Sequence, residues 1–455
     1  MLGEKQIPAG VFWGIHTSRA VENFPLSGIK VNPCLIRAVA RVKKAAALAN
    51  MELKYLSVKN AGAIVRAAEE VAEGKYSEQF PVDAFQGGAG TSLNMNVNEV
   101  IANRASEILG GGKGAEALIH PLEDVNKHQS TNDVFPTALK VALIYDLKAL
   151  SAANAGLQGA FQKKEKEFAG IVKIGRTEMQ EAVPLTLGAE FSAFAEAFAR
   201  DRWRTFKAEE RLRVVNIGGT AVGTGLGAPK SYIFLVIEKL REVTGLGLAR
   251  SENVIDPTAN NDAFVEASAI LKANAVNLIK VSSDLRLLNL LEEIRLPPAQ
   301  AGSSIMPGKV NPVIVEAVAQ AGYRVLSNDI TVSDLCSKGT LQINEFMPLL
   351  AHVLLETTGL LIASNKIFAA HAGGIMADED KCREYFEKSP ALITAFLPSI
   401  GYDRANDLLA DFRRTKETNL RQYLEKKLGK ELVTKLLSPY NLVALGYREE
   451  NADRA

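Results

Sequence analysis

The chain has 455 residues, and 53 Lys plus Arg against 52 Asp plus Glu leave a formal charge of +1. That balance gives no long-range attraction for a polyanion, which argues against nucleic acid or an anionic membrane surface as partner. Hydrophobic residues make up 47% and aromatics only 7%, and a composition rich in Ala, Leu, Val and Ile suits close-packed helices better than a sandwich of strands. The longest uncharged run, Val214 to Pro229, contains five glycines and is shorter than the roughly 20 apolar residues of a membrane-spanning helix. The opening MLGEKQIPAG shows no basic stretch followed by an apolar one, so no signal peptide is expected. Cys34, Cys336 and Cys382 are widely spaced and odd in number, which fits a reduced, cytoplasmic compartment.

Residues 1–130 read as an N-terminal domain of mixed short elements, interrupted at Gln86-Gly-Gly-Ala-Gly-Thr-Ser92. Residues 131–380 read as a central domain of five long helices. The first runs from about Asp133 to Phe168 and opens on Ser130-Thr-Asn-Asp133, which resembles a capping box, with Pro136 in the first turn. The second runs from about Val183 to Leu212. A glycine-rich segment, 218–227, follows. Its Lys230-Ser231 is preceded by Pro229 where a phosphate loop needs glycine, and no alternating strand–helix pattern surrounds it; a backbone turn packed against helices is expected. The third helix runs from Thr258 to about Glu293. The segment Gln300-Ala-Gly-Ser-Ser-Ile-Met-Pro-Gly-Lys309 breaks the pattern again, and the fourth helix then starts at Asn311-Pro312, read as an N-cap followed by proline at N1, and ends near Leu335. The fifth starts near Met347-Pro348 and stops at Gly373-Gly374. Residues 381–455 read as a small, more charged helical domain. The long helices carry apolar residues on more than one face. An obligate oligomer would bury them, and one large monomeric core is the alternative.

None of the five histidines shows metal-ligand spacing, so no metal is expected. His128, two residues before the Ser130 cap, fits either a place in the lining of a site or a surface position. The 300–309 segment is the most informative. Gly302 and Gly308 let it bend, Lys309 supplies a positive charge, and Asn311 with the N–H groups of the following helix can meet an anion. A serine beside such donors could act as a base if ionised; an ordinary helix-entry loop is the competing reading.

Here several segments resemble one family. Gly302-Ser-Ser-Ile-Met-Pro-Gly-Lys-Val-Asn-Pro312 is similar to the signature loop of the aspartase/fumarase superfamily. Gln86 to Asn96, Val125 to Asp133, Lys173 to Pro184, Gly219 to Gly225 and Gly14 to Phe24 also match, in the expected order along nearly the whole chain. The resemblance implies a mainly α fold with a central five-helix bundle. In the family, four subunits form a twenty-helix core, and each active site is shared by three subunits. Ala89-Gly-Thr-Ser92, Asn126-Lys127, Ser130-Thr-Asn-Asp133 and Leu341-Gln-Ile-Asn344 lean towards the ammonia-lyase branch over the fumarases.

The implied reaction is reversible anti elimination of ammonia from L-aspartate to give fumarate, with no cofactor. Fumarate hydration, or elimination from a substituted aspartate, is the alternative, and a catalytically silent metabolite-binding oligomer is a third reading. By resemblance Ser303 is the base. Thr91, Ser130, Thr131 and Ser304 hold the β-carboxylate, Thr177, Lys309 and Asn311 hold the α-carboxylate, and Asn132 contacts the amino group. Two departures stand out. Glu178 occupies a position where fumarases carry histidine and familiar aspartases histidine or glutamine. Its family counterpart contacts an acidic residue that matches Glu316, so two carboxylates would face each other if that geometry is kept, with a shared proton or a cation such as the substrate ammonium between them. His120-Pro-Leu-Glu-Asp124 departs from the fumarase segment that forms a secondary dicarboxylate site.

Overall fold

The computed structural model describes residues 3–446 and is mainly helical. The N-terminal stretch carries α1 (Ile15–Asn23), α2 (Pro33–Glu52), α3 (Val58–Ala72) and α4 (Thr91–Ile108). Helix α2 starts as its sequence dictates: Asn32 caps it by accepting from the Cys34 N–H, and Pro33 fills a first-turn position that needs no donor. The long helix α5 (Thr131–Glu167) follows, then the strands β1 (Val172–Thr177) and β2 (Gln180–Thr186), then α6 (Leu187–Leu212). After β3 (Val214–Val215) come α7 (Lys230–Thr244), β4 (Ala249–Arg250), the single turn α8 (Asp256–Ala259), α9 (Asp262–Leu290) and β5 (Ile294–Arg295). The remaining long helices are α10 (Val313–Ser337) and α11 (Met347–Gly373), followed by β6 (Met376–Ala377), α12 (Glu379–Lys388) and short helices.

Four of the expected helix boundaries shift, each for a local reason. The second helix begins at Leu187 because residues 180–186 form a hairpin with β1. Pro184 lies in that strand opposite Ile174; a two-stranded ribbon tolerates a missing N–H because each strand has a free edge. The third helix is interrupted at Asn260, whose backbone is extended and whose side chain donates to Asp256 Oδ1 at 2.6 Å. Asn competes in this way with continued helical bonding. Pro136 sits in the second turn of α5 rather than the first. Its missing N–H leaves the Asn132 carbonyl without its i+4 donor, and Asn216 Nδ2 donates to that carbonyl at 3.0 Å instead. The fourth helix starts at Val313, and the Glu316 N–H bonds to the Pro312 carbonyl. Asn311 is therefore not an N-cap; its side-chain amide is used elsewhere.

Two compact units emerge. The first joins the segment ending at Ser151 to Trp203–Ala275 and Gly322–Ile362. The second joins Ala152–Arg202, Val276–Ala321 and the segment starting at Ala363. In the second unit a cluster of Phe386, Leu392, Phe396, Leu420, Tyr423, Leu424 and Val433 closes around Ile174 of β1, so the C-terminal helices cover one face of the hairpin. Helix α11 is long and apolar enough to cross a membrane by length and composition, but most of it is buried within the fold, with Leu350, Leu354, Leu361 and Phe368 at most 1% exposed.

Candidate active site

The sequence-indicated residues fall into two groups, one in each unit. In the first unit they cluster at the start of α5. Ser130 and Asp133 form a cap that departs from the box only in one donor: the Ser130 N–H donates to Asp133 Oδ1 at 2.9 Å, and Ser130 Oγ accepts from the Asn132 N–H at 3.2 Å. Asn132 Nδ2 donates to the Ala221 carbonyl at 2.8 Å. Thr131 is buried and its Oγ1 accepts from Asn94 Nδ2 at 3.1 Å. Thr91 opens α4 and donates its hydroxyl to the Gly88 carbonyl at 2.7 Å. It is held against α5 by Gly90, whose φ is +92° and where a Cβ would fall 2.2 Å from Phe135 Cδ2. Only glycine permits both that backbone and that approach. The glycine-rich segment 218–227 is the expected turn, closed by a Gly225 N–H to Gly219 carbonyl bond at 2.9 Å and anchored on Asp133.

His128, at φ +61°, lies beside rather than within this group. Its Nδ1 is 2.7 Å from Asn50 Oδ1, and its ring meets Tyr55 edge-on at 4.8 Å and Tyr232 at 5.2 Å. Burial, helped by the charge of Lys127, lowers its pKa below the ordinary imidazole value.

In the second unit Ser303, Lys309 and Asn311 share one loop. The Gly302 N–H donates to the Lys309 carbonyl at 2.8 Å, and Asn311 Nδ2 donates to the Gly302 carbonyl at 2.8 Å. That second bond is what the Asn311 amide does instead of capping. A Cβ at Gly302 would lie 2.6 Å from the Lys309 carbonyl oxygen, so the loop closes on itself only with glycine there. Ser303 Oγ accepts from the Ile305 N–H at 3.2 Å and the Met306 N–H at 2.9 Å. Two donors on one hydroxyl oxygen favour its ionised form. Ser304 and Lys309 are exposed.

Thr177 ends β1, and Glu178-Met179 forms the two-residue turn of the hairpin with φ of +52° and +60°, the left-handed pair of a type I′ turn. Glu178 is exposed at the tip. Glu316, in the first turn of α10, lies 3.9 Å from Arg286.

Sequence reasoning missed two buried polar clusters. In the first unit Lys43 and Asp133 are fully buried, and Lys43 Nζ donates to Asn126 Oδ1 at 2.8 Å and Gln129 Oε1 at 3.1 Å. Burial brings the Lys43 ammonium down to about 7 and the Asp133 carboxyl up to about 7. In the second unit Lys173 Nζ lies 2.6 Å from Glu190 and 2.9 Å from Glu293, and Arg176 lies 2.8 Å from Glu293. The signal for Lys43 was faint: it is one of three basic residues in Arg41 to Ala47, beside three alanines. Among the described residues no group of three His, Cys, Asp or Glu is arranged to hold a metal ion.

Known proteins similar to this chain are lyases. A family model described as Lyase matches residues 3–327. An aspartate ammonia-lyase from a Bacillus species is 43% identical over 453 residues, 98% of this chain and 97% of that protein. A Brucella melitensis structure described as fumarate lyase:delta crystallin, bound to cobalt, superposes with a TM-score of 0.93 at 44% identity and covers 98% of both chains. The class II fumarase of Schistosoma mansoni gives a TM-score of 0.89 at 32% identity, covering 96% of this chain and 97% of that one. The chain belongs to the lyase family, within the aspartase/fumarase superfamily.

Proposed function

We propose that the protein is an aspartate ammonia-lyase, a carbon–nitrogen lyase that eliminates ammonia reversibly from L-aspartate to give fumarate. The Ser303 loop is the observation that carries this reading. A hydroxyl that accepts two backbone N–H groups can be held as an alkoxide without a partner histidine. The choice of L-aspartate follows the relatives that bear that activity in their names.

Ser303 takes the proton from Cβ. The electron pair of that C–H bond passes first into the β-carboxylate, giving a dianionic aci-carboxylate, and then forms the Cα–Cβ double bond as the Cα–N bond breaks. The amine leaves with both electrons of that bond and already carries its protons. Donors placed where the charge develops lower the barrier. Ser130, Thr131 and Ser304 supply them for the β-carboxylate, joined by Thr91 once its hydroxyl turns from the Gly88 carbonyl, and Thr177, Lys309 and Asn311 fix the α-carboxylate. Asn132 fits the ammonium: its Nδ2 is taken by the Ala221 carbonyl, so its Oδ1 remains as the acceptor. His128 supports the site from behind, through its contacts with Asn50 and the two tyrosines.

We infer a homotetramer with each site built from three subunits. Apolar side chains that remain exposed on the long helices support this: Leu290 at 76%, Ile330 at 73% and Trp203 at 73% would be covered by partner helices. On this reading residues 1–130, 131–380 and 381–455 act as three domains, the middle one forming the tetramer core in a cytoplasmic enzyme. The deciding experiment follows the ultraviolet absorbance of fumarate after mixing the protein with L-aspartate and, separately, with L-malate. A rise with L-aspartate alone is expected; a rise with L-malate alone, or with neither, overturns the assignment.

A further inference from the structure

We propose that Asp133 and Lys43 form a buried positioning pair that sets the geometry of the Ser130–Asn132 substrate contacts from both sides, without touching substrate. The proposal rests on the reading of those three residues as substrate contacts.

Asp133 Oδ1 accepts from the Ser130 N–H at 2.9 Å, and Oδ2 accepts from the Gly218 N–H at 3.1 Å and the Thr220 N–H at 3.0 Å. Its two oxygens therefore tie the first turn of α5 to the 218–220 turn. Asn132 sits between them and reaches Ala221. Thr220 is held at φ +55°, a left-handed backbone that a β-branched residue adopts only when surrounding bonds hold it there. An Asn at 133 could not reproduce the clamp. Its amide nitrogen would face an N–H donor on one side or the other.

Lys43 works on the opposite side. From α2 it donates to Asn126 Oδ1 and Gln129 Oε1, fixing the segment that leads into Ser130. Asn126 Oδ1 also accepts from Asn98 Nδ2 at 3.1 Å and Asn94 Nδ2 at 3.3 Å. Asn94 in turn donates to Thr131 Oγ1. With that lone pair engaged, the Thr131 hydroxyl proton is left to be donated to a carboxylate. Where it carries its proton, the same lysine favours ionised Asp133. Another titratable group near Asp133 is Tyr232 of α7, fully buried, whose hydroxyl has no hydrogen-bond partner among the described residues. The His128 ring lies beyond it, against the Tyr232 ring.

The test measures the affinity of the full-length protein for succinate by titration calorimetry across pH. Succinate has two carboxylates but no leaving group, so its binding reads the carboxylate site and not the base step. In the parent protein, affinity should weaken as pH falls through about 7, where Asp133 takes up a proton and one side of the clamp loses its acceptor. In Lys43→Met this limb should move to higher pH, because the neighbouring positive charge is gone. Tyr232→Phe should superimpose on the parent. Asp133→Asn should bind at least about tenfold more weakly at every pH, with no limb. A Lys43→Met limb that coincides with the parent's overturns the proposal. A Lys43→Met chain that does not fold also overturns it, since the pair would then be a prop of the fold. Thr131→Val separates the two levels: unweakened succinate binding sinks the substrate-contact reading itself, whereas weakened binding with an unmoved Lys43→Met limb sinks only the positioning pair.

Discussion

Each unit buries one carboxylate at the foot of its candidate residues, and the two are satisfied by opposite means. In the first unit Asp133 accepts from three neutral backbone N–H groups, with Lys43 as a charge of opposite sign nearby. In the second, Glu293 at 0% exposure lies directly against two cations, Lys173 and Arg176, while Lys173 also meets Glu190. The Glu293 backbone carbonyl accepts from the Asp378 N–H at 2.9 Å, so this residue joins β1, the end of α9 and the start of α12. Neutral donors leave a buried carboxylate dependent on protonation state. Direct cations make it a structural rivet, whose removal strands a buried charge. The first unit is therefore expected to respond to pH, and the second to lose stability when its pairing is broken.

The sharpest way to break this contrast is Glu293→Gln. It removes the charge that compensates Lys173, which is only 2% exposed, and leaves Glu190 as the remaining counter-charge. Breaking a buried pair in this way should cost about 3 kcal/mol, measured as a shift in the denaturant midpoint of the full-length protein. A change below about 1 kcal/mol would mean that Glu293 behaves as a surface charge and that the contrast is unsound.

Gly90→Ala probes the first unit without touching a charge. An alanine there must adopt φ +92° and displace the buried Phe135 ring, which together should cost about 2 kcal/mol. Because Phe135 lies in the first turns of α5, the KM for L-aspartate should rise along with the loss of stability. Lost stability with unchanged KM would separate the α4 start from the substrate contacts.

The smallest effect is expected at Glu178, exposed on its hairpin tip. Glu178→Gln should weaken L-aspartate, which carries the ammonium, by up to about fivefold, the range of an exposed ion pair, and leave fumarate nearly unaffected. Equal effects on both ligands would remove Glu178 from amine recognition.

Much of the helical frame was legible before any coordinates. The fifth helix runs from Met347 to Gly373 as read, because a proline in its first turn and a pair of glycines at its end punctuate it unambiguously. The Ser130–Asp133 cap was legible for a similar reason: its bonds join residues at most three apart. The β1–β2 hairpin was not. Its turn residues, Glu178 and Met179, are not those that favour a left-handed pair, and apolar residues from 183 onward continue smoothly into α6. The Asn311 cap failed because its side chain is claimed by Gly302, nine residues away, a partner that no local rule supplies.

Composition and periodicity by themselves settled the helical class, and the motifs in order along the chain settled the family. They also singled out the serine loop, since glycine, lysine and helix-start signals are local. Tertiary structure alone decided which polar groups meet. Lys43 comes to Asn126 across 83 positions and Asp133 to Gly218 across 85, and the Glu293 pairs reach further, Arg176 across 117 positions and Lys173 beyond it. Burial of a charge is set by what packs around it from distant segments, so the physical state of Asp133 and Glu293 became readable only once those segments were in place.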